Sequence, residues 1–245
     1  MVSYPSVTLK FLLAQAYGLP MFQVAGPDWL GTERYEILAT VPPGTTEGQK
    51  RLMLRNLLSE RFRLSLHRET RTFPIYALVV GRNGPKLMES PPPFAGEANA
   101  VVPAGPRQIV MGKDGFALPP PGYRGGINIE FGGPGRVRLS SVRQPLPKFC
   151  EFLSGQLQRL VIDKTGLTGT YDIKLDFTPD EDQVMRGPQD EPLPLRRAPP
   201  GEEGPSLFTA LQEQLGLKLE STKGPVEILV IDRAEKVPAA NGREP

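Results

Sequence analysis

Residues 160–177 read "LVIDKTGLTGTYDIKLDF". Three aliphatic residues, Leu160-Val161-Ile162, stop at Asp163-Lys164-Thr165-Gly166, and a second run follows over 170–177. Asp accepts a hydrogen bond from the backbone two residues on, and Gly accepts a positive φ, so residues 163–166 predict a turn. The stretch therefore predicts strand, turn and strand.

Its neighbours extend the pattern on both sides. Leu146, Phe149, Cys150, Leu153 and Leu157 are spaced for one face of a helix before it. "SLFTALQEQLG" (206–216) predicts a second helix after it, with Ser206 as N-cap and Gly216 at the stop. "LKLES" (217–221) and "GPVEILVI" (224–231) then predict two strands.

The same order stands earlier in the chain. Leu9, Leu12, Leu13, Ala16 and Tyr17 predict a helix ended by Gly18 and Pro20. "FQVAG" (22–26), "RYEILATV" (34–41), the helix 49–62, "RLSLHRET" (63–70) and "FPIYALVV" (73–80) follow. Tyr35-Glu36-Ile37 answers Tyr171-Asp172-Ile173, and Pro74 answers Pro225. Six elements agreeing in order and apolar spacing predict an α+β protein of two pseudo-repeated α-β-β-α-β-β lobes, with small mixed or antiparallel sheets. The expected boundaries are 1–84 for the first lobe, 85–135 for a Pro/Gly-rich connector and 136–238 for the second lobe. Residues 179–205, rich in Pro and charge, read as a disordered insert, and 239–245 as a frayed tail.

The composition excludes several function classes. With 245 residues the chain can bury a core in each of two lobes, and a net charge of +2 gives no pull toward a polyanion. No apolar run approaches the ~18 residues of a membrane span. One cysteine, Cys150, precludes an internal disulfide, and one histidine, His67, precludes paired-histidine zinc motifs.

Asp163 is the first candidate for chemistry. Asp-Lys-Thr-Gly after an apolar strand resembles the aspartyl-phosphate motif of P-type ATPases and their haloacid-dehalogenase relatives. Such an enzyme needs a second acidic cluster for Mg²⁺ behind a later strand. The one acid closing a later apolar strand is Asp232, without acidic or glycine neighbours. The turn is the preferred reading and a phosphotransferase or hydrolase centred on Asp163 the alternative. Cys150 falls on the apolar face of its helix and reads as a buried thiol rather than half of a Cys150/His67 pair. Lys50, Arg51, Arg55, Arg61, Arg63, His67, Arg68 and Arg71 make the densest basic region, a solvated face or, as a further alternative, a binder of anionic polymers. With no aromatic interleaved there, nucleic acid is not expected. Trp29, the sole tryptophan, reads as a core or lobe-interface residue before a ligand platform. "GGINIEFGGPG" (125–135) lacks the spacing of a phosphate-cradling loop. No cofactor or metal is expected; Arg63, His67, Arg71 and Trp29 remain as candidate binding residues.

Four stretches carry a resemblance to a known family: "VTLKFLLAQAYGLPMFQVAGPDWLGTERYEI" (7–37), "LLSERFRLSLHRETRTFPIYALVV" (57–80), "RLVIDKTGLTGTYDIKLDFTPD" (159–180) and "SLFTALQEQLGLKLESTKGPVEILVIDRAEKVP" (206–238). They resemble the soil-associated family of unknown function, whose domain also occurs behind BlaR-type membrane metallopeptidases. There is a fainter likeness to the short N-terminal domain of secretins and TonB-dependent receptors. The resemblance implies an export signal and a strand before the first helix. Residues 1–6 show neither, although "RVRLS" (136–140) supplies that strand in the second lobe. The first lobe is thus expected to lack its N-terminal strand and to leave a sheet edge bare. The resemblance implies no established chemistry. The expected function is a non-enzymatic binding or interaction module of the bacterial cell envelope, extracytoplasmic, with an unidentified protein or small-molecule partner.

Overall fold

The computed structural model describes residues 2–91, 112–113, 115–116, 127–133, 135–180, 201 and 203–239. It is an α+β protein whose contacts divide it into two compact units. Unit 1 holds the described residues of 2–73 and 223–239, and unit 2 those of 74–180 and 192–222.

Unit 1 begins with a strand, β1 (Val2–Thr8), where none was expected. β1 runs antiparallel to β3 (Arg34–Ala39), with Tyr4 opposite Ile37 and Val7 opposite Tyr35. The edge expected to be bare is therefore covered. Pro5 and Ser6 hid the strand, because they fall where the register slips and break its alternation. α1 (Leu9–Tyr17) follows, its N-terminus capped by the Thr8 hydroxyl and its end by Gly18 in the left-handed region. Two residues form β2 (Val24–Ala25), and α2 (Glu47–Phe62) closes the sequence. Leu9, Leu12, Leu13 and Ala16 pack with Val24, Leu58, Phe62, Leu229 and Ile231 into one core.

Unit 2 holds, in order, β7 (Val137–Pro145), α3 (Leu146–Leu157), β8 (Val161–Asp163), β9 (Thr170–Phe177) and α4 (Leu207–Gln214). β7 and β9 are antiparallel, and their register slips between Ser141 and Gln144 as that of β1 slips between Tyr4 and Val7. Leu146, Phe149, Cys150 and Leu153 of α3 pack on β7, β9 and α4.

Two expectations about strands are corrected. The pairs 63–70 with 73–80 and 217–221 with 224–231 are each one strand: β4 (Ser65–Val80) and β10 (Leu217–Arg233). Residues 70–74 are exposed, so no buried face marks them as strand, and charge and proline there read as a break. β4 and β10 are hydrogen-bonded neighbours, and each passes from one unit into the other. In unit 1, Val24 of β2 pairs in parallel with Leu229 of β10. In unit 2, Val161 of β8 pairs in parallel with Tyr76 of β4. The last strand of each half is thus shared, unlike the sequential lobes 1–84 and 136–238. Long-range pairing decides such an exchange, and local spacing carries no trace of it.

The connector 85–135 is not all loop. Its ends supply β5 (Met88–Glu89) beside β9 and β6 (Ile127–Phe131) beside β7, giving the order β5-β9-β7-β6. Phe116 is fully buried, with the guanidinium of Arg138 3.9 Å and that of Arg136 4.7 Å from its ring centre. Most of the insert 179–205 and the tail 240–245 lie outside the described residues. Residues 236–239 are held on unit 1: Tyr35 donates to the Lys236 carbonyl at 2.8 Å, and the Ala239 amide donates to the Arg61 carbonyl at 2.7 Å. No helix of the described residues is long and apolar enough to cross a membrane.

Candidate functional site

α2 begins with a reciprocal cap. The Gln49 amide donates to the Thr46 hydroxyl at 3.3 Å, and the Thr46 amide donates to Oε1 of Gln49 at 2.8 Å. That cap starts the helix two turns before the point at which α4, counted back from the matching buried leucines Leu58 and Leu211, begins. The added turns have no core beneath them: Leu52 and Met53 are 55% and 40% exposed. Between α2 and the β1–β3 sheet lies a cleft of about 460 Å³. Tyr4, Ile37, Ala39 and Val41 line the sheet side, and Met53, Leu54 and Leu57 the helix side. Glu47, Lys50 and Arg51 stand around it.

In unit 2 the seam between β9 and α4 is closed. Ile173, Leu175 and Phe177 of β9 and Leu207, Ala210 and Leu211 of α4 are all buried. Gln214 fastens the two elements, accepting from the Asp176 amide at 2.9 Å and donating to the Asp176 carbonyl at 2.7 Å. Where β9 has Leu175 and Phe177, unit 1 has the smaller Ala39, the last residue of β3, and Val41 just beyond it. Arg61, at the place of Gln214, reaches the Ala239 carbonyl instead, at 3.1 Å. Less side-chain volume and no clamp leave the seam of unit 1 open, where the described residues of β9 and α4 pack against each other.

The cleft is mostly hydrocarbon with cations beside it. Lys50 is paired with Glu47 at 2.6 Å, and that hydrogen bond holds the Glu47 carboxyl below its ordinary range. Arg51 lies over the Gly18 turn; no carboxylate is within ion-pair distance of it among the described residues, but its charge adds to that of Lys50 in lowering the Glu47 carboxyl. Such a lining suits an apolar group that carries negative charge.

Of the residues singled out in the sequence, Lys50 and Arg51 of the basic region line the cleft, and the others fall elsewhere. Asp163 is held in the predicted turn: Oδ1 accepts from the Thr165 amide at 2.9 Å and the Thr165 hydroxyl at 2.7 Å, and Gly166 has φ 72°. The Lys164 amide continues the parallel ladder to the Leu78 carbonyl at 2.9 Å. Among the described residues no three His, Cys, Asp or Glu side chains are grouped to hold a metal ion. Cys150 is buried in unit 2, where burial first, then the charges of Asp163 and Glu151, push its thiol up to about 12. His67, in unit 1, is exposed and meets Asp232, Nδ1 lying 2.9 Å from the carboxylate.

The basic face is largely engaged. Arg63 pairs with Glu235 at 3.5 Å, Arg68 with Glu227 at 2.7 Å and Arg71 with Glu69. Arg55 donates to the Ala16 carbonyl at 2.7 Å and stacks on Tyr17, an aromatic that α1 brings to a face where none was expected. These exposed pairs add little stability, but they leave little uncompensated charge for a polymer. Trp29, in a 3-10 turn (Asp28–Gly31), packs against the core of unit 1. None of Arg63, His67, Arg71 or Trp29 lines the cleft. Apart from Lys50 and Arg51, sequence reading missed the cleft residues; the signal for its apolar part was Leu52-Met53, apolar on the polar side of α2.

A family model described as "Protein of unknown function (DUF3738)" matches residues 10–234. No curated protein and no solved structure gives a significant match.

Proposed function

The chain belongs to that family of proteins of unknown function, and from this premise we propose that it is a non-enzymatic binding module of the bacterial cell envelope whose ligand enters the cleft of unit 1. One observation carries the reading: the seam between helix and sheet is open and apolar in unit 1 and packed shut in unit 2. An apolar cavity open to water is unfavourable unless something fills it, so its retention in one of two similar units points to use. Placement in the envelope rests on the resemblance to a family with members behind membrane metallopeptidases. Non-catalytic action is supported by Asp163, whose Oδ1 is engaged in a turn, and by Cys150, whose thiol is buried.

Titration with the apolar anion anilinonaphthalene sulfonate tests the site. Saturable fluorescence enhancement at one site is expected, and Ala39→Trp, which fills the cleft, should abolish it while the circular dichroism spectrum is retained. Enhancement unchanged in Ala39→Trp would place apolar binding elsewhere. Fractionation of the native bacterium tests the placement, and recovery in the cytosol alone would refute it. Stoichiometric labelling of Asp163 by acetyl phosphate would replace this reading with the phosphotransferase one.

A further inference from the structure

We infer that unit 1 binds an extended peptide, added as a strand along the unpaired edge of β3, with alternate side chains in the cleft and a peptide carboxylate at Arg51. The inference rests on the cleft being the binding site and names its occupant.

The two units treat equivalent strands differently. β9 is paired on both sides, by β7 and by β5. β3 pairs with β1 alone among the described residues. The strand on β9 is short: Met88 lies opposite Asp172 and Glu89 opposite Tyr171. Ser90 extends it, donating through its amide to the Thr170 carbonyl at 2.8 Å and through its hydroxyl to Asp172 at 2.5 Å. This chain thus shows what such an edge accepts, a few extended residues joined by main-chain hydrogen bonds and fixed by one polar contact with a carboxylate. Among the described residues, the edge of β3 carries no such strand.

Its protection is confined to its ends. Exposed edges are ordinarily blunted by charge, proline or a bulge. Arg34 and Glu36 are exposed at the start of β3 and Pro42-Pro43 follow it, but Ile37 to Val41 between them carry neither charge nor proline, and Leu38 is 66% exposed. Ala39, Thr40 and Val41 belong to the cleft lining, so edge and cleft are continuous. Side chains of a strand alternate between faces, so every second residue of an added strand would face α2 and the cavity. Lys50 and Arg51 face one acid, Glu47, in that lining, and Glu47 is in direct contact with Lys50, so the Arg51 guanidinium supplies the polar contact and selects a carboxylate, from an acidic side chain or from a C-terminus.

The test uses the full chain immobilised against a library of randomised displayed peptides, with Ala39→Trp for subtraction. Enriched peptides should carry an apolar residue at every second position and at least one carboxylate. In anisotropy titrations of a synthesised winner, N-methylation of alternate amides should weaken binding about tenfold, while methylation of the intervening ones should not. Arg51→Glu should weaken it about five- to tenfold, and Arg51→Lys should retain most of it. Amidating the C-terminus and changing the acidic side chain to its amide tell the two carboxylate sources apart. Strand addition is overturned if N-methylation has no period of two. The peptide reading alone fails if no peptide is enriched although anilinonaphthalene sulfonate binds and is lost in Ala39→Trp. If neither binds, the cleft reading fails with it.

Discussion

Ala39→Leu should stabilise the protein, against the ordinary result of enlarging a half-buried side chain. Ala39 lines the cleft at the place where β9 has Leu175, fully buried in its closed seam. The change adds three carbons, worth about 0.8 kcal/mol each when wholly removed from water, a ceiling near ~2.4 kcal/mol. Ala39 keeps some contact with solvent, so about 1 kcal/mol is the expected gain. For a protein of this size that raises Tm by roughly 2–4 °C. Trp29, the sole tryptophan and part of unit 1, reports the transition in urea. The reverse change in unit 2, Leu175→Ala, should cost about 2–5 kcal/mol, because it opens a seam with nothing to fill it. The stabilised Ala39→Leu protein should bind anilinonaphthalene sulfonate less tightly. A loss of about 1 kcal/mol or more in Ala39→Leu, the usual penalty of overpacking, would mean that the seam is already full, and the reasoning would be wrong.

Other outcomes follow from the same structure. The Cys150 thiol is pushed up to about 12 by burial, so the unfolded chain ionises first as pH rises. Its contribution to stability is complete below the ordinary thiol range and is lost between about pH 9 and 12. Urea midpoints at pH 8 and 10.5 should fall further apart in the wild type than in Cys150→Ala, by about 2 kcal/mol; equal differences would contradict the burial. Asp163→Ala should cost about 1 kcal/mol by removing the acceptor of two hydrogen bonds in the turn, and Asp163→Asn much less, as read by thermal melting. Equal loss in both would show that the charge, rather than the turn, matters. Gln214→Ala unpairs the amide and the carbonyl of Asp176 and should cost about 1–3 kcal/mol, with faster hydrogen exchange at the Asp176 amide. An unchanged exchange rate there would remove the clamp from the account of the closed seam.

Apolar spacing alone specified the helix faces of α1 and α3, the burial of Cys150 and the α+β class. The residues 163–166 specified their own turn, because Asp163, Thr165 and Gly166 satisfy one another within four positions. Such features depend on neighbours in the chain, and a sequence displays neighbours. The strand β1, the continuity of β4 and β10 and their exchange between units were hidden, since their partners lie far away and residues 70–74 bury no face. The candidate site was hidden for a related reason. Spacing shows which side of an element is apolar, but not how much side-chain volume faces it. The cleft exists because Ala39 and Val41, beneath a helix with two added turns, leave unfilled what Leu175, Phe177 and Gln214 fill in unit 2. That difference is one of volume between residues far apart in sequence, and only the tertiary structure brings them together to be compared.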